Sequence, residues 1–364
     1  MRDPLRLHQP SADIRTRRIA VNRATILSQV ELTHDTYELV VACAEDSDII
    51  HASAGQFVTL RFPGITQPRP YSLARDPAAE APGTHTFFIR LVPDGEVSAW
   101  LAAGNRSGTE IEIAGPLGGF GLDDSSDPMI CIAGGSGMSA IMALIEHACT
   151  NQLQRDCYFF YGARTQADLY CDKEIGAIAA RWHPEHRFTF VQVLSEEAPD
   201  SDWTGAHGFV TDHIDEHWIQ AGRIDPGKAS AFFCGPPPMI EAGGKMLINS
   251  GMPQTRIFLD VFEDARSPAP VIDNRNCVLC DECLLVKPVE NCIVETSGIN
   301  LGGDGKIDGF HPIKPTHSSG LYYNSLFIDE SQCIRCYACV NACPHDAISP
   351  DYTFTGTLRQ RSTN

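Results

Sequence analysis

The sequence predicts a multidomain protein: an antiparallel β-barrel, an α/β domain on a parallel sheet, and a small cysteine-rich α+β module. Three observations predict it. Short alternating or β-branched runs, separated by Gly, Pro and Asp clusters, fill the N-terminal part. Continuous apolar runs then alternate with helix-compatible segments. Eight of the 14 cysteines fall after residue 276, in a repeated spacing.

Residues 1–18 are polar and Arg-rich and read as a flexible arm. Within 19–123 the runs Ala24–Val30, Tyr37–Val41, Phe57–Phe62, Thr86–Val92 and Glu110–Ile113 predict barrel strands. The pattern changes near Pro128. Met129–Ala133 is a buried-strand run, followed by Gly134-Gly135-Ser136-Gly137 and the helical stretch Ser139–Ala148. Cys157–Tyr161, Phe188–Val193 and Ser230–Cys234 continue the strand series, so 124–265 reads as a parallel sheet with helices on both faces. A Pro-rich linker occupies 266–273, the cysteine module 274–350 and a polar tail 351–364.

A chain of 364 residues holds two or three domains, and 43% hydrophobic with 20% charged residues is a soluble globular balance. No apolar run is long enough to span a bilayer, and Met1–Arg18 lacks the apolar stretch of a secretory signal. The expected location is therefore the cytoplasm. A net charge of −18 argues against a nucleic-acid partner. It serves either solubility or steering toward a basic partner protein.

The clustered cysteines form two triplets, Cys277-x2-Cys280-x2-Cys283 and Cys333-x2-Cys336-x2-Cys339, the second followed by x3-Cys343-Pro344. In a long non-secreted chain such a cluster means metal ligands and not disulfides. Structural zinc pairs two C-x2-C knuckles around one ion, which two triplets fit poorly. A tight C-x2-C-x2-C turn aims three thiolates at one iron–sulfur cube, and eight thiolates close on two cubes. The module resembles bacterial two-cluster ferredoxins. That resemblance implies that the fourth cysteine of each run ligates the other cluster: Cys277, Cys280, Cys283 and Cys343 around one, Cys333, Cys336, Cys339 and Cys292 around the other. The first run departs from the family, with eight residues between Cys283 and Cys292 and Ile293 in place of proline. The 293–332 insert, carrying Gly302-Gly303-Asp304-Gly305, His311, His317, Tyr322 and Tyr323, is expected to shield a cluster or form a docking surface.

Upstream, Arg69-Pro70-Tyr71-Ser72 follows a barrel strand, Arg90-Leu91-Val92-Pro93 precedes Gly95-Glu96-Val97-Ser98, and Gly115-Pro116-Leu117-Gly118-Gly119-Phe120 closes the barrel. These motifs, in this order, resemble the ferredoxin–NADP reductase superfamily, especially reductases of multicomponent aromatic oxygenases. The resemblance implies bound FAD. It places Tyr71 on the isoalloxazine, Arg69 beside the pyrophosphate and Ser72 near flavin N5. It sets Arg90, Leu91, Val92, Gly95, Val97 and Ser98 along the ribityl and pyrophosphate, and Asp260 and Phe262 near the flavin's open face, which Phe262 guards. An aromatic face suits a flat ring and a guanidinium suits a phosphate.

Gly134-Gly135-Ser136-Gly137-Met138 opens a helix after a strand, which suits a pyrophosphate. The family has proline where Ala140 stands. Arg164, Ser195 and Glu196 follow strand ends, where open α/β sheets bind ligands. Glu196 favours a free ribose hydroxyl and hence NADH, whereas Arg164 favours NADPH. By resemblance Cys234 lies beside the nicotinamide and Gly235 lets the ring approach, so Ser72 and Cys234 are the expected catalytic pair. Cys131, Cys149 and Cys157 read as core. His147, His183, His186 and His207 lack ligand spacing.

A nicotinamide nucleotide gives two electrons as hydride, a cube takes one, and a flavin does both. The chain therefore reads as a reductase passing electrons from NAD(P)H through FAD and two 4Fe–4S clusters to a partner protein. The resemblance makes that partner a terminal oxygenase. Oxygenase reductases of this shape normally carry a C-x4-C-x2-C module instead of two cubes, so a corrinoid or other iron–sulfur enzyme stays open as acceptor, as does a redox-sensing role.

Overall fold

The computed structural model describes residues 21–43, 52–261, 269–301, 307–312 and 325–350. The expected arm (1–18), tail (351–364), Phe262, Arg266–Pro268 of the expected linker, and Gly302–Gly305, His317, Tyr322 and Tyr323 of the insert lie outside the described residues, whereas Pro270–Ile272 of that linker form a strand. The chain divides into two compact units. The larger holds 21–66 and 71–262, and the smaller holds 67–70 and the cysteine module.

In the larger unit, β1 (Val21–Thr33), β2 (Thr36–Cys43), β3 (Phe57–Arg61), β4 (Arg69–Ser72, of which Tyr71 and Ser72 belong to this unit), β5 (Thr84–Arg90) and β6 (Glu110–Leu117) form a sheet ordered β4-β3-β6-β1-β2-β5. β1 pairs with β2 and β6, β2 with β5 and β3 with β6, all antiparallel. The chain leaving β4 turns back onto β5, Ala74 N donating to Thr86 O at 2.8 Å. The sheet thereby curls around one core: Ile26, Leu39, Leu60, Phe87, Ile113 and, from helix α1 (Glu96–Ala102), Leu101. All five strands expected from alternation are present. The sixth, β4, was missed because Arg-Pro-Tyr-Ser is short and begins with an Arg-Pro pair.

Glu80 illustrates the cost of a carboxyl against this sheet. Its Oε1 accepts from Thr86 Oγ1 at 2.5 Å, while Oε2 is buried with no hydrogen-bond partner among the described residues. Burial pushes its pKa up to about 7. The folded value exceeds the unfolded one. Stability is thus greatest below about pH 4.5, falls as pH rises toward 7, and stays lowered above. Glu80→Gln is expected to raise stability by about 1–3 kcal/mol at pH 8 and hardly at all at pH 4, as read from urea midpoints at both values.

The second domain of this unit is a parallel sheet ordered β10-β9-β8-β7-β11-β12: β7 (Met129–Gly134), β8 (Cys157–Ala163), β9 (Phe188–Leu194), β10 (Ala206–His207), β11 (Ser230–Gly235) and β12 (Ile257–Val261). Alternate residues serve opposite faces. Met129, Cys131, Phe159 and Phe232 pack with helix α2 (Met138–Thr150) and with α3 (Asp172–Arg181). Ile130, Ile132, Phe160 and Phe233 pack with α4 (Val210–Ile214) and α5 (Pro237–Asn249). Burial on both faces explains the unbroken apolar runs. Cys131, Cys149 and Cys157 are core residues, as expected. Ala54, Ala74, Phe88 and Phe120 of the barrel share the α2 cluster, so one core joins the two domains.

The smaller unit repeats itself at an offset of 56 residues. Asp273 O accepts from Asn276 N and Cys277 N as Asp329 O accepts from Gln332 N and Cys333 N. Leu279 and Arg335, then Asp281 and Tyr337, take positive φ at matching places. Short helices α6 (Glu282–Leu285) and α7 (Ala338–Ala342) follow. In one half β13 (Pro270–Ile272) pairs with β17 (Ile348–Pro350), and in the other β16 (Ser325–Ile328) pairs with β14 (Ile293–Leu301). The insert adds β15 (Ile307–Pro312) as a third strand beside β14. No helix among the described residues is long and apolar enough to cross a membrane.

Candidate flavin, nucleotide and cluster sites

The carboxyl ends of β7, β11 and β12 meet at a tight crossing of backbones. A Cβ on Gly137 would lie 2.0 Å from Cys234 O and 2.7 Å from Gly235 N. One on Gly235 would lie 3.1 Å from Gly134 N. Only glycine fits here, and the result is bare backbone at the sheet's carboxyl edge, the usual ligand position in such sheets. Gly135 turns at φ +54°, and its carbonyl accepts from Tyr170 Oη at 3.0 Å. Ser136 continues the turn, while Met138 is fully buried in the α2 core and offers a ligand only its backbone.

Three expected or adjacent residues converge at this crossing. Ser72 Oγ donates to Asp260 Oδ2 at 3.1 Å, and Cys234 Sγ donates to the same oxygen at 3.5 Å. Burial pushes the Asp260 carboxyl up to about 6, and the donors Ser72 and Cys234 pull it back only in part. Burial, with Asp260 beside it, pushes the Cys234 thiol well up, so it is a neutral thiol at neutral pH. Ser72 and Cys234 thus share one acceptor oxygen, on a carboxyl that titrates at about 6. Asp260 lacks a local motif, and only its place at a strand end singles it out.

Tyr71 stands half-buried beside Phe62, ring centroids 6.3 Å apart in an edge arrangement. Arg69 donates to the carbonyls of Gln67 and Pro68 at 3.2 Å each, and Pro70 completes the strand. Ser98 Oγ accepts from Val92 N at 2.8 Å and fixes the turn through Gly95. Val97 is buried in the barrel core, and Leu91 packs against it.

A charge network was not foreseen. Asp35, in the β1–β2 turn, accepts from Arg90 Nε at 2.9 Å and from Arg164 at 3.4 Å. Arg164 also reaches Asp168 at 2.7 Å. Burial pushes Asp35 up, but Arg90 and the Thr36 and Thr33 hydroxyls outweigh it and hold the carboxyl below its ordinary range. Arg90 comes within 3.5 Å of where a Gly135 Cβ would stand, so the network borders the glycine turn. Ser195 and Glu196 are exposed, tied by their backbones to Ala163 O and Arg164 O. Arg164 is thus already paired with two carboxylates, while Glu196 faces solvent.

In the smaller unit Cys277, Cys280, Cys283 and Cys343 line one cavity with Ile272, Asp281 and Leu326. Burial, then the other three of these thiols, push Cys283 up. Cys292, Cys333, Cys336 and Cys339 form a second group: Cys339 feels Cys336, then Cys283 of the first group, then Cys292 and Cys333, and Cys336 feels Cys292 and Cys333. Cys283 and Cys292 are buried, and Cys277, Cys339 and Cys343 pack beside them against apolar side chains, while Cys280 is exposed; four thiols per group are the donor set a cube requires. Cys292 N donates to Val289 O at 3.3 Å, as Cys343 N does to Val340 O at 3.3 Å.

This architecture is that of an FAD-binding and an NAD-binding oxidoreductase domain followed by an iron–sulfur-binding module. Residues 23–121 match the family described as oxidoreductase FAD-binding domain, 131–244 the oxidoreductase NAD-binding domain, and 326–349 the 4Fe–4S binding domain. The chain is 36% identical over 239 residues to the xylene/toluene monooxygenase electron transfer component of Pseudomonas putida, covering 66% of this chain and 65% of that one. It is 35% identical over 249 residues to the aromatic O-demethylase reductase subunit of an Amycolatopsis species, covering 66% and 69%. The solved Amycolatopsis cytochrome P450 reductase superposes with a TM-score of 0.59 at 32% identity, over 67% of this chain and 70% of that one. The chain spans about two thirds of the length of these relatives, slightly less for the first. It belongs to the ferredoxin reductase family of FAD- and NAD-binding oxidoreductases.

Proposed function

We propose that this chain takes hydride from NADH onto FAD and passes single electrons through two 4Fe–4S clusters to a terminal oxygenase. The observation that carries the reductase reading is the convergence of Ser72, Cys234 and Asp260 on the glycine crossing. Bound FAD supplies the exchange between hydride and single electrons. Tyr71 and Arg69 would hold its ring and pyrophosphate side. Gly134, Gly135, Ser136 and Gly137 would hold the nucleotide diphosphate, with Gly235 leaving room for the nicotinamide. Glu196 would accept from the ribose, and with Arg164 neutralised by Asp168 this supports NADH over NADPH. Cys277, Cys280, Cys283 and Cys343 would hold one cluster, and Cys333, Cys336, Cys339 and Cys292 the other. The oxygenase partner rests on the relatives, which are electron transfer components of a monooxygenase and a demethylase. The extent of each domain is proposed as 19–123, 124–265 and 274–350.

Above pH 6 the Asp260 carboxylate draws the Ser72 hydroxyl proton to itself. Below it, a neutral Asp260 frees Ser72 to donate toward the hydride-accepting edge. Anaerobic flavin bleaching by NADH is therefore expected to speed up severalfold as pH falls through about 6. Asp260→Asn should flatten that profile, and Ser72→Ala should slow bleaching about 100-fold. The reading itself is tested with NADH deuterated at C4: bleaching slowed by a primary isotope effect supports hydride transfer. Purified protein that binds no flavin would end the proposal.

A further inference from the structure

The 56-residue repeat shows what differs between the two cluster-binding halves, and three differences carry charge. Asp281 stands where Tyr337 stands in the second half, both at positive φ. Asp281 is 2% exposed and lines the cavity of Cys277, Cys280, Cys283 and Cys343. Lys287-Pro288 stands where Cys343-Pro344 stands, so a lysine replaces the expected fourth thiolate and Cys292 arrives five residues later. Lys287 Nζ donates to Ile293 O, the carbonyl next to Cys292, at 3.2 Å, and its charge acts on the Cys292 thiol. Arg335 replaces buried Leu279; its guanidinium donates to Cys333 O at 2.6 Å and also pairs with exposed Glu330 at 3.3 Å.

Resting on the two-cluster reading above, we propose that these side chains polarise the module. Asp281 lowers the reduction potential at the Cys277 set, while Lys287 and Arg335 raise it at the Cys333 set. Reduction adds one negative charge to a cube. A carboxylate at its wall opposes that charge, and a half-buried ammonium or guanidinium favours it, with little screening by salt. Net charge and hydrogen bonds near the sulfurs are recognised controls of cluster potential. One electron then leaves the cube of the Cys277 set as the cube of the Cys333 set gains it, with no bond or proton changed. The electron rests at the Cys333 side, which makes that side the store from which a one-electron acceptor draws.

The test is a redox titration of the intact, cluster-loaded protein followed by EPR. In the unaltered protein the two clusters are expected to differ at least tenfold in reduced-to-oxidised ratio at a common potential, about 59 mV for a one-electron couple. Asp281→Asn, which tolerates positive φ, should raise the lower-potential signal. Lys287→Gln, which keeps a donor for Ile293 O, should lower the other severalfold, and Lys287→Arg should restore it. Iron per chain, measured for each variant, shows that the clusters are retained. Eight irons with clusters that titrate together, or with both variants moving the same signal or none, would overturn the polarity. About four irons in the unaltered protein would overturn the two-cluster reading first.

Discussion

Cys283→Ala is expected to remove one cluster and stop electron delivery beyond the flavin, while NADH still bleaches the flavin within about twofold of the unaltered rate. Cys283 is 6% exposed and shares its cavity with Cys277, Cys280, Cys343 and the Asp281 carboxyl. A methyl in its place leaves one corner of a cube without a thiolate. Iron per chain should fall by about half, and NADH-driven reduction of a one-electron acceptor protein such as cytochrome c by about 100-fold or more. In the proposed function the flavin step rests on Ser72, Cys234 and Asp260, which belong to the other unit. Unchanged iron and unchanged acceptor reduction would remove Cys283 from the ligand set.

Gly137→Ala should be the most damaging single methyl in the larger unit. The added Cβ would sit 2.0 Å from Cys234 O and 2.3 Å from its carbonyl carbon, both backbone atoms of a central strand. No flexible side-chain end is there to yield, so the α2 start or β11 must move. We expect a loss of about 3 kcal/mol or more. A shift near an ångström at the site should slow flavin bleaching on the order of 100-fold. Gly176→Ala is the control. Gly176 is an exposed helix residue with nothing near its missing Cβ, so alanine there should stabilise by roughly 0.5–1 kcal/mol. Urea midpoints and stopped-flow bleaching of the two variants decide the matter. Equal behaviour would show that the close crossing is not what this glycine serves.

Much of the scaffold was legible because local pattern and tertiary role agree. β7, β8 and β11 are buried on both faces, so their composition alone marks them. The strand ending at Val261 was not marked, because Ile257–Val261 includes Asp260, a polar residue required by the site. The glycines of 134–137 were read as a phosphate turn. Their second task, letting α2 cross β11, is visible only once Cys234 O is seen against Gly137. Asp35 was illegible for a related reason: its partners Arg90 and Arg164 lie 55 and 129 residues away. In the module, cysteine spacing carried both thiol groups. The eight-residue gap before Cys292 concealed that Lys287-Pro288 stands 56 residues before Cys343-Pro344, the same offset that separates the two cysteine triplets.

The most direct test of the central claim is an anaerobic titration of the intact chain with NADH, following flavin absorbance and cluster EPR together. Two electrons for the flavin and one for each cube predict an end point near two NADH per chain, with the flavin bleached and two reduced-cluster signals grown in. An end point at one NADH, with the flavin bleached and no cluster signal even after a stronger chemical reductant, would contradict the account.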